Sequence, residues 1–214
     1  MQKWHAYKCM FNIRSFKKQA HSIGIKLKAK ELEKFNLYFD ALLSWNKRIN
    51  LVSRRDAGRI EFHFLDSLFA SRFIESNTKV LDIGAGAGFP SIPIRIFRDD
   101  ITLSVCESKR KKYLFLKYLV ELLELENVTL FCERAESLRN SYDTILEREI
   151  GKLKYFVRIA YPLLGSHGKL IAYKGNNVDV EIEEALPYMQ KVGIGVKQIL
   201  KRPFGGKLLI LGHA

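Results

Sequence analysis

A loop of alternating glycines set directly behind a strand constrains this chain more than any other feature. Lys79-Val80-Leu81-Asp82-Ile83 reads as a short buried strand, and Gly84-Ala85-Gly86-Ala87-Gly88-Phe89-Pro90 follows with no spacer. Glycines there let the backbone turn tightly and approach a nucleotide-like ligand closely. Pro90 falls near the start of the next helix, where its missing N–H is of little consequence. A plain strand-to-helix turn rarely needs three alternating glycines.

The rest of the pattern agrees with a strand–loop–helix unit of an α/β sheet. Ile101–Cys106, 128–132, 142–146 and 168–173 read as further strands. Helical stretches are expected over about 109–125, 152–164 and 180–192. Two closing runs, 196–200 and 207–211, are joined by Pro203-Phe204-Gly205-Gly206 and suggest an antiparallel edge on a mostly parallel, doubly wound sheet. Before residue 76 the period is helical. Leu32, Phe35, Phe39, Leu42 and Leu43 mark one helix over about 31–51, with Trp45 on its core face. Ile60, Phe64, Leu68 and Phe69 mark another over about 58–74. A short helix is expected before Gly24, among Trp4, Tyr7, Phe11 and Phe16. The organisation expected is a basic helical region over 1–75 and an α/β domain over 76–214.

The loop also narrows the ligand. A dinucleotide fingerprint has the spacing G-x-G-x-x-G, whereas Phe89 stands here where the third glycine would be. Asp82 would repel a pyrophosphate but suits the zwitterionic end of a sulfonium cofactor. The loop therefore favours S-adenosylmethionine over NAD. Glu107, 23 residues beyond Gly84, ends the second strand. A carboxylate there can accept from both ribose hydroxyls, which fits either cofactor.

Charge points to the partner. Residues 1–60 hold 14 Lys and Arg against 4 Asp and Glu, a balance of +10, while the remainder holds 22 against 19. Such a one-sided excess suggests a polyanion. A solvated tail is the plainer alternative. No run is long and apolar enough for a membrane span or a secretory leader. Cys9, Cys106 and Cys132 show no metal-site spacing, so no metal is expected, and scattered thiols fit a cytoplasmic protein.

Several blocks go beyond the generic fold. They are Leu43-Ser44-Trp45-Asn46-Lys47-Arg48-Ile49-Asn50-Leu51, Arg55-Asp56, and His63-Phe64-Leu65-Asp66-Ser67-Leu68. The glycine loop through Pro93, Lys109-Arg110, Arg134-Ala135-Glu136, Arg148 and Tyr173-Lys174-Gly175 complete the set. With them the chain resembles, over nearly its whole length, the small-subunit ribosomal RNA guanine-N7 methyltransferases, the glucose-inhibited division protein B (RsmG) family. The resemblance implies a Rossmann-like class I methyltransferase core behind an N-terminal helical region. It also implies methyl transfer from S-adenosylmethionine to N7 of a guanine in the 530 loop of 16S rRNA. The family's cofactor positions fall on Gly84, Phe89, Ala135, Glu136 and Arg148, beside Asp82, Gly86, Gly88 and Glu107 read from the loop itself. Two departures stand out: Glu147-Arg148-Glu149-Ile150 replaces the family's usual Ser-Arg-Ala-Phe, and Phe62-His63 replaces Arg-His. Met10 offers an alternative start.

Guanine N7 carries a free lone pair, so its methylation requires no general base, and none is assigned. The Asn/Asp-Pro-Pro-aromatic clamp of adenine amino methylation is absent after the fourth strand. So is the Pro-Cys nucleophile of cytosine C5 methylation. Lys47, Arg48, Arg54, Arg55, Lys109, Arg110 and Lys174 are candidates for gripping RNA phosphates, though the 109–112 run also reads as a solvated helix start. His63, with Asp66 and Ser67 at i+3 and i+4, reads either as part of the site or as a structural hydrogen-bond set. The expected substrate is 16S rRNA or the small ribosomal subunit, met by a monomer with no protein partner.

Overall fold

The computed structural model describes residues 11–214, apart from the side chains of Arg54 and Arg55. Trp4, Tyr7, Cys9 and the alternative start at Met10 lie outside the described residues. The strands are β1 (Lys79–Ile83), β2 (Thr102–Cys106), β3 (Val128–Phe131), β4 (Tyr142–Arg148), β5 (Leu164–Lys174), β6 (Ile194–Lys201) and β7 (Lys207–His213). They form one sheet in the order β3-β2-β1-β4-β5-β7-β6. The first five are parallel, and β7 pairs antiparallel with β5 and β6. This is the mostly parallel sheet with a closing hairpin that the strand–helix alternation predicts.

The central strands are apolar on both faces because helices cover both. Successive side chains still go to opposite sides. Val80, Leu146, Ile171 and Leu208 join one core, while Leu81, Ile145, Leu170 and Leu209 join the other. The second core is closed by α7 (Leu153–Ala160) and α8 (Val178–Lys191), through Phe156, Val157, Ala185 and Met189. The first takes α5 (Ser91–Phe97) and α6 (Arg110–Leu122), together with three helices that precede the sheet: α1 (Ile13–Ser22), α2 (Ala29–Asn46) and α4 (Ile60–Phe69). Phe16, Phe35 and Phe64 meet with ring centroids 5.0–6.0 Å apart. The N-terminal helices thus share one continuous apolar core with the sheet. Among the described residues no helix is long and apolar enough to cross a membrane.

Several boundaries differ from the sequence reading, each for a local reason. The helix expected to reach residue 51 stops at Asn46, whose side-chain carbonyl accepts from the N–H groups of Leu51 and Val52 at 2.9 and 3.0 Å. That reverses the chain and directs Leu51 inward. The helix expected over 58–74 is split into α4 and a 3-10 turn at Ala70–Phe73, and a separate short helix, α3 (Arg54–Ala57), precedes it. Ser53 starts α3 by accepting from the Asp56 N–H. The helix expected over 152–164 ends as α7 at Ala160. Pro162 sits in the 3-10 turn that follows, and β5 begins four residues earlier than its apolar run.

Candidate active site

The glycine loop crosses the C-terminal ends of β1 and β4, where ligands bind in open α/β sheets. Two cavities flank it. One, of about 300 Å³, is bordered by Ile83, Gly84, Glu107, Ala135, Glu136 and Tyr155. The other, of about 260 Å³, is bordered by Gly84, Gly86, Phe89, Arg148, Asp56 and His63. Gly84, Lys112 and Glu149 border both, so the cavities adjoin.

The three glycines are needed for different reasons. All have left-handed backbone, with φ of +72° at Gly84, +58° at Gly86 and +96° at Gly88. A Cβ on Gly84 would meet Ile150 Cγ2 at 2.5 Å, from the loop after β4. The nearest atom to one on Gly86 would be Lys112 Nζ, at 3.5 Å. Gly88 lines neither cavity. A Cβ there would meet Tyr38 Oη at 2.6 Å and Ile92 Cγ1 at 2.9 Å, so its glycine serves packing. From beneath, the Tyr38 hydroxyl donates to the Ala87 carbonyl at 2.5 Å, and its ring stacks 5.9 Å from Phe89. Tyr38→Phe should lower stability by about 1–2 kcal/mol in urea denaturation, because a buried carbonyl loses its donor.

Glu107 is 5% exposed and organises the first cavity. Its two oxygens accept from the Gly86 and Lys109 N–H groups at 3.0 and 2.7 Å. Each oxygen keeps a further lone pair for a ribose hydroxyl. Ala135 and Glu136 lie on a 3-10 turn after β3 at the far wall, with the Tyr155 hydroxyl 3.3 Å from Glu136 Oε1. A cavity of nucleoside size, a dihydroxyl-accepting carboxylate and a glycine cradle that a Cβ would fill together fit S-adenosylmethionine.

Asp82 is not on a cavity wall. It is 0% exposed beneath the loop, and Oδ2 accepts from the Ser91 N–H at 3.3 Å, at the start of α5. The expectation of direct contact with a ligand is corrected accordingly: the carboxyl acts on the loop from below. Burial raises its pKa to about 7, with Glu147 and Glu107 adding to the rise and Ser91 opposing it. His63 moves the other way. Burial and the Arg148 guanidinium lower its pKa to about 4 against a smaller opposing pull from Asp56. Between about pH 4 and about pH 6.5 the folded protein holds a proton on Asp82 and none on His63, the reverse of the unfolded chain. Raised pKa on an acid means stability falls as pH rises from about 4 to about 7. Lowered pKa on a base means stability falls as pH drops from about 6.5 to about 4. Relative to wild type, Asp82→Asn should therefore gain about 1.4 kcal/mol per pH unit on raising pH through its window. His63→Gln should gain similarly on lowering it. Urea titrations at stepped pH check both signs, and parallel curves would refute them.

Arg148 lies at the heart of the second cavity. Its Nη2 donates to His63 Nδ1 at 2.6 Å, and Nη1 lies 3.5 Å from Asp66 Oδ2. The guanidinium stands 5.6 and 5.7 Å from the rings of Phe89 and Tyr173. Of its two flanking carboxylates, only Glu149 comes near, at 4.0 Å from Nε. Glu147 is turned inward to Lys174, 2.9 Å away. With Nδ1 occupied, the neutral His63 carries its proton on Nε2, 3.6 Å from Asp56. Asp66 also pairs with Arg202 from the β6–β7 hairpin.

The basic candidates separate. Lys174 is 5% exposed and bound to the Gly151 carbonyl (2.6 Å), Glu147 and Glu181. It holds the loop after β4 and presents no face to a phosphate, which corrects its assignment to RNA. Lys47 is exposed but borders no cavity described here. Arg55 falls within α3. Arg48 and Lys109–Lys112 line a shared groove. Sequence reasoning passed over Ser53 and Asp56 as cavity residues. Their Ser-x-x-Asp spacing before an apolar run is the start signal of α3 and was the available clue.

The family model described as rRNA small subunit methyltransferase G (GidB) matches residues 31–203. The ribosomal RNA small subunit methyltransferase G of Bacillus subtilis is 35% identical over 180 residues, 80% of this chain and 75% of the relative. That of Oceanobacillus iheyensis is 34% identical over 185 residues, 82% and 78% of the two chains. Among solved structures, M. jannaschii TYW2 in complex with AdoMet superposes with a TM-score of 0.60 at 17% identity, covering 78% of this chain and 80% of that one. The ribosomal protein L11 methylase of Lactobacillus delbrueckii subsp. bulgaricus gives 0.57 at 14%, covering 72% and 79%. These two likenesses concern the fold, which is that of class I methyltransferases. The family model spans most of the chain, from α2 to the turn between β6 and β7, and on that match the chain belongs to the rRNA small subunit methyltransferase G family.

Proposed function

We propose that this chain methylates N7 of a guanine in the 530 loop of 16S rRNA, acting as a cytoplasmic monomer on the RNA or the small subunit. That it is an S-adenosylmethionine-dependent methyltransferase follows from its family. The observation that supports the finer reading is the second cavity, which adjoins the nucleoside-sized one at Gly84 and sets the Phe89 ring and the Arg148 guanidinium along its wall. Its histidine is neutral, and Nδ1 is already taken by Arg148.

When bound, S-adenosylmethionine supplies a methyl group on a positively charged sulfur. Guanine N7 needs no proton removed, so the protein's task is alignment. Gly84, Gly86 and Glu107 hold the nucleoside side, with Ala135 and Glu136 closing it. Phe89 and Arg148, cofactor positions by the resemblance, border the second cavity with Gly84 and Gly86 and on this reading wall the acceptor side where it meets the cofactor. Positive charge arrives on the purine during transfer, and the carboxylates of Asp56 and Glu149 at that cavity's edge stabilise it electrostatically. Lys47, Arg48, Arg55, Lys109 and Arg110 supply the positive field for the RNA backbone.

Radiolabelled methyl transfer to unmethylated 16S rRNA and to small subunits, followed by nucleoside analysis, tests this. Label in 7-methylguanosine is expected. Label in another nucleoside would overturn the base assignment, and cofactor binding without transfer would point to a non-catalytic RNA-binding factor. With about six phosphate contacts, log affinity should fall with log salt at a slope of about −4 to −5.

A further inference from the structure

A groove of about 430 Å³ lies beside the cleft, between the turn after α2 and the first turn of α6. Arg48 and Asn50 form one wall, and Lys109, Arg110, Lys111 and Lys112 the other. No acidic residue lines it, and among the described residues none of its cations has a carboxylate within 4.0 Å. The placement runs against helix electrostatics. A helix start carries partial positive charge and favours Asp or Glu, yet the first turn of α6 has no acid and three cations follow the cap residue Lys109. A merely solvated helix start would not gather like charges there, nor bring Arg48 across from another element.

The groove also opens towards the chemistry. Lys109 borders both it and the Glu107 cavity, and Lys112 borders it and both cavities. A nucleotide whose base enters the cleft carries its phosphates within a sugar's length of that junction. We infer that this groove seats the RNA phosphodiester next to the methylated nucleotide, with Lys112 at its inner end. Lys112 is then a positioning residue, linking the grip on the backbone to the placement of the base. This rests on the reaction proposed above and names the surface that delivers its substrate.

Arg48, Arg110 and Lys111 border only the groove, so the triple variant Arg48→Gln/Arg110→Gln/Lys111→Gln separates RNA grip from cofactor binding. Binding of a 16S rRNA fragment containing the 530 loop is titrated between about 50 and 200 mM KCl. The log–log slope should become shallower by about 2–3, since each lost phosphate contact removes roughly 0.7–0.9. The KM for RNA should rise at least about tenfold, with kcat at saturating RNA and calorimetric affinity for S-adenosylmethionine unchanged. The melting temperature should hold or rise, because cations leave a helix start. Arg48→Lys/Arg110→Lys/Lys111→Arg, which keeps the charge, should restore the slope. A wild-type slope in the Gln variant overturns the inference, as does lost cofactor affinity with an unchanged KM for RNA. If wild-type protein makes no 7-methylguanosine, the reaction falls while the binding slope still decides the groove.

Discussion

Gly84→Val should abolish S-adenosylmethionine binding, by at least about a hundredfold in calorimetry, while the fold survives. Two effects coincide. The backbone at φ +72° is one that a β-branched residue adopts only at a cost of about 1–2 kcal/mol. The new Cβ would also stand 2.5 Å from Ile150 Cγ2, and the added methyls enter the point where the two cavities meet. Relief requires turning or shifting Ile150, which borders the first cavity and follows Glu149 at φ +63°, or moving the glycine loop. Both movements displace walls of the site. The apolar cores on the two faces of the sheet do not include Gly84, so circular dichroism and a cooperative melt should persist. Unchanged affinity in a folded Val variant would remove Gly84 from the cofactor site.

The second large effect is expected at Asp66. This carboxylate is 3% exposed and stands between two guanidinium groups, Arg148 of the cavity wall and Arg202 of the β6–β7 hairpin. Arg202 further donates to the carbonyls of Lys174 and Lys207, both at 3.2 Å. Asp66→Ala would leave two cations facing each other over Tyr173, with only the exposed Glu149 carboxylate, 4.0 Å from Arg148, as counter-charge. The loss of one partner from a buried ionic set destabilises by about 3–5 kcal/mol. Asp66→Asn keeps an acceptor but not the charge and should fall between. Urea denaturation measures both. An Ala variant within about 1 kcal/mol of wild type would mean that the network adds nothing to stability. Methyl transfer should fall as well, since Arg148 loses one of the polar contacts that aim it.

Much of this architecture is legible in the residues. Strands β1 and β2 and the loop after Ile83 follow from apolar runs of strand length ending in glycines, a signal carried by neighbours in the chain. Glu107 is readable for the same reason, since its distance from Gly84 reflects one strand–helix–strand step. Helix ends are less readable. Asn46 ends α2 through bonds to Leu51 and Val52 that a propensity pattern does not contain. Gly88 looks equivalent to Gly84 and Gly86 in the sequence, yet it answers to Tyr38, 50 positions earlier.

The basic residues show the division most sharply. The sequence by itself determined the class of sheet, the glycine cradle, the acid behind it and an excess of cations for a polyanion. Only the tertiary structure decided which cations can meet one. Lys174 and Lys112 are the same residue type, each just past or within a conspicuous motif. Lys174 is neutralised inside by Glu147 and Glu181, whereas Lys112 has no carboxylate partner among the described residues and stands where the cavities and the groove converge. Whether a charge is buried and compensated depends on segments far away in the chain, because desolvation and Coulomb attraction act through space and follow the packing.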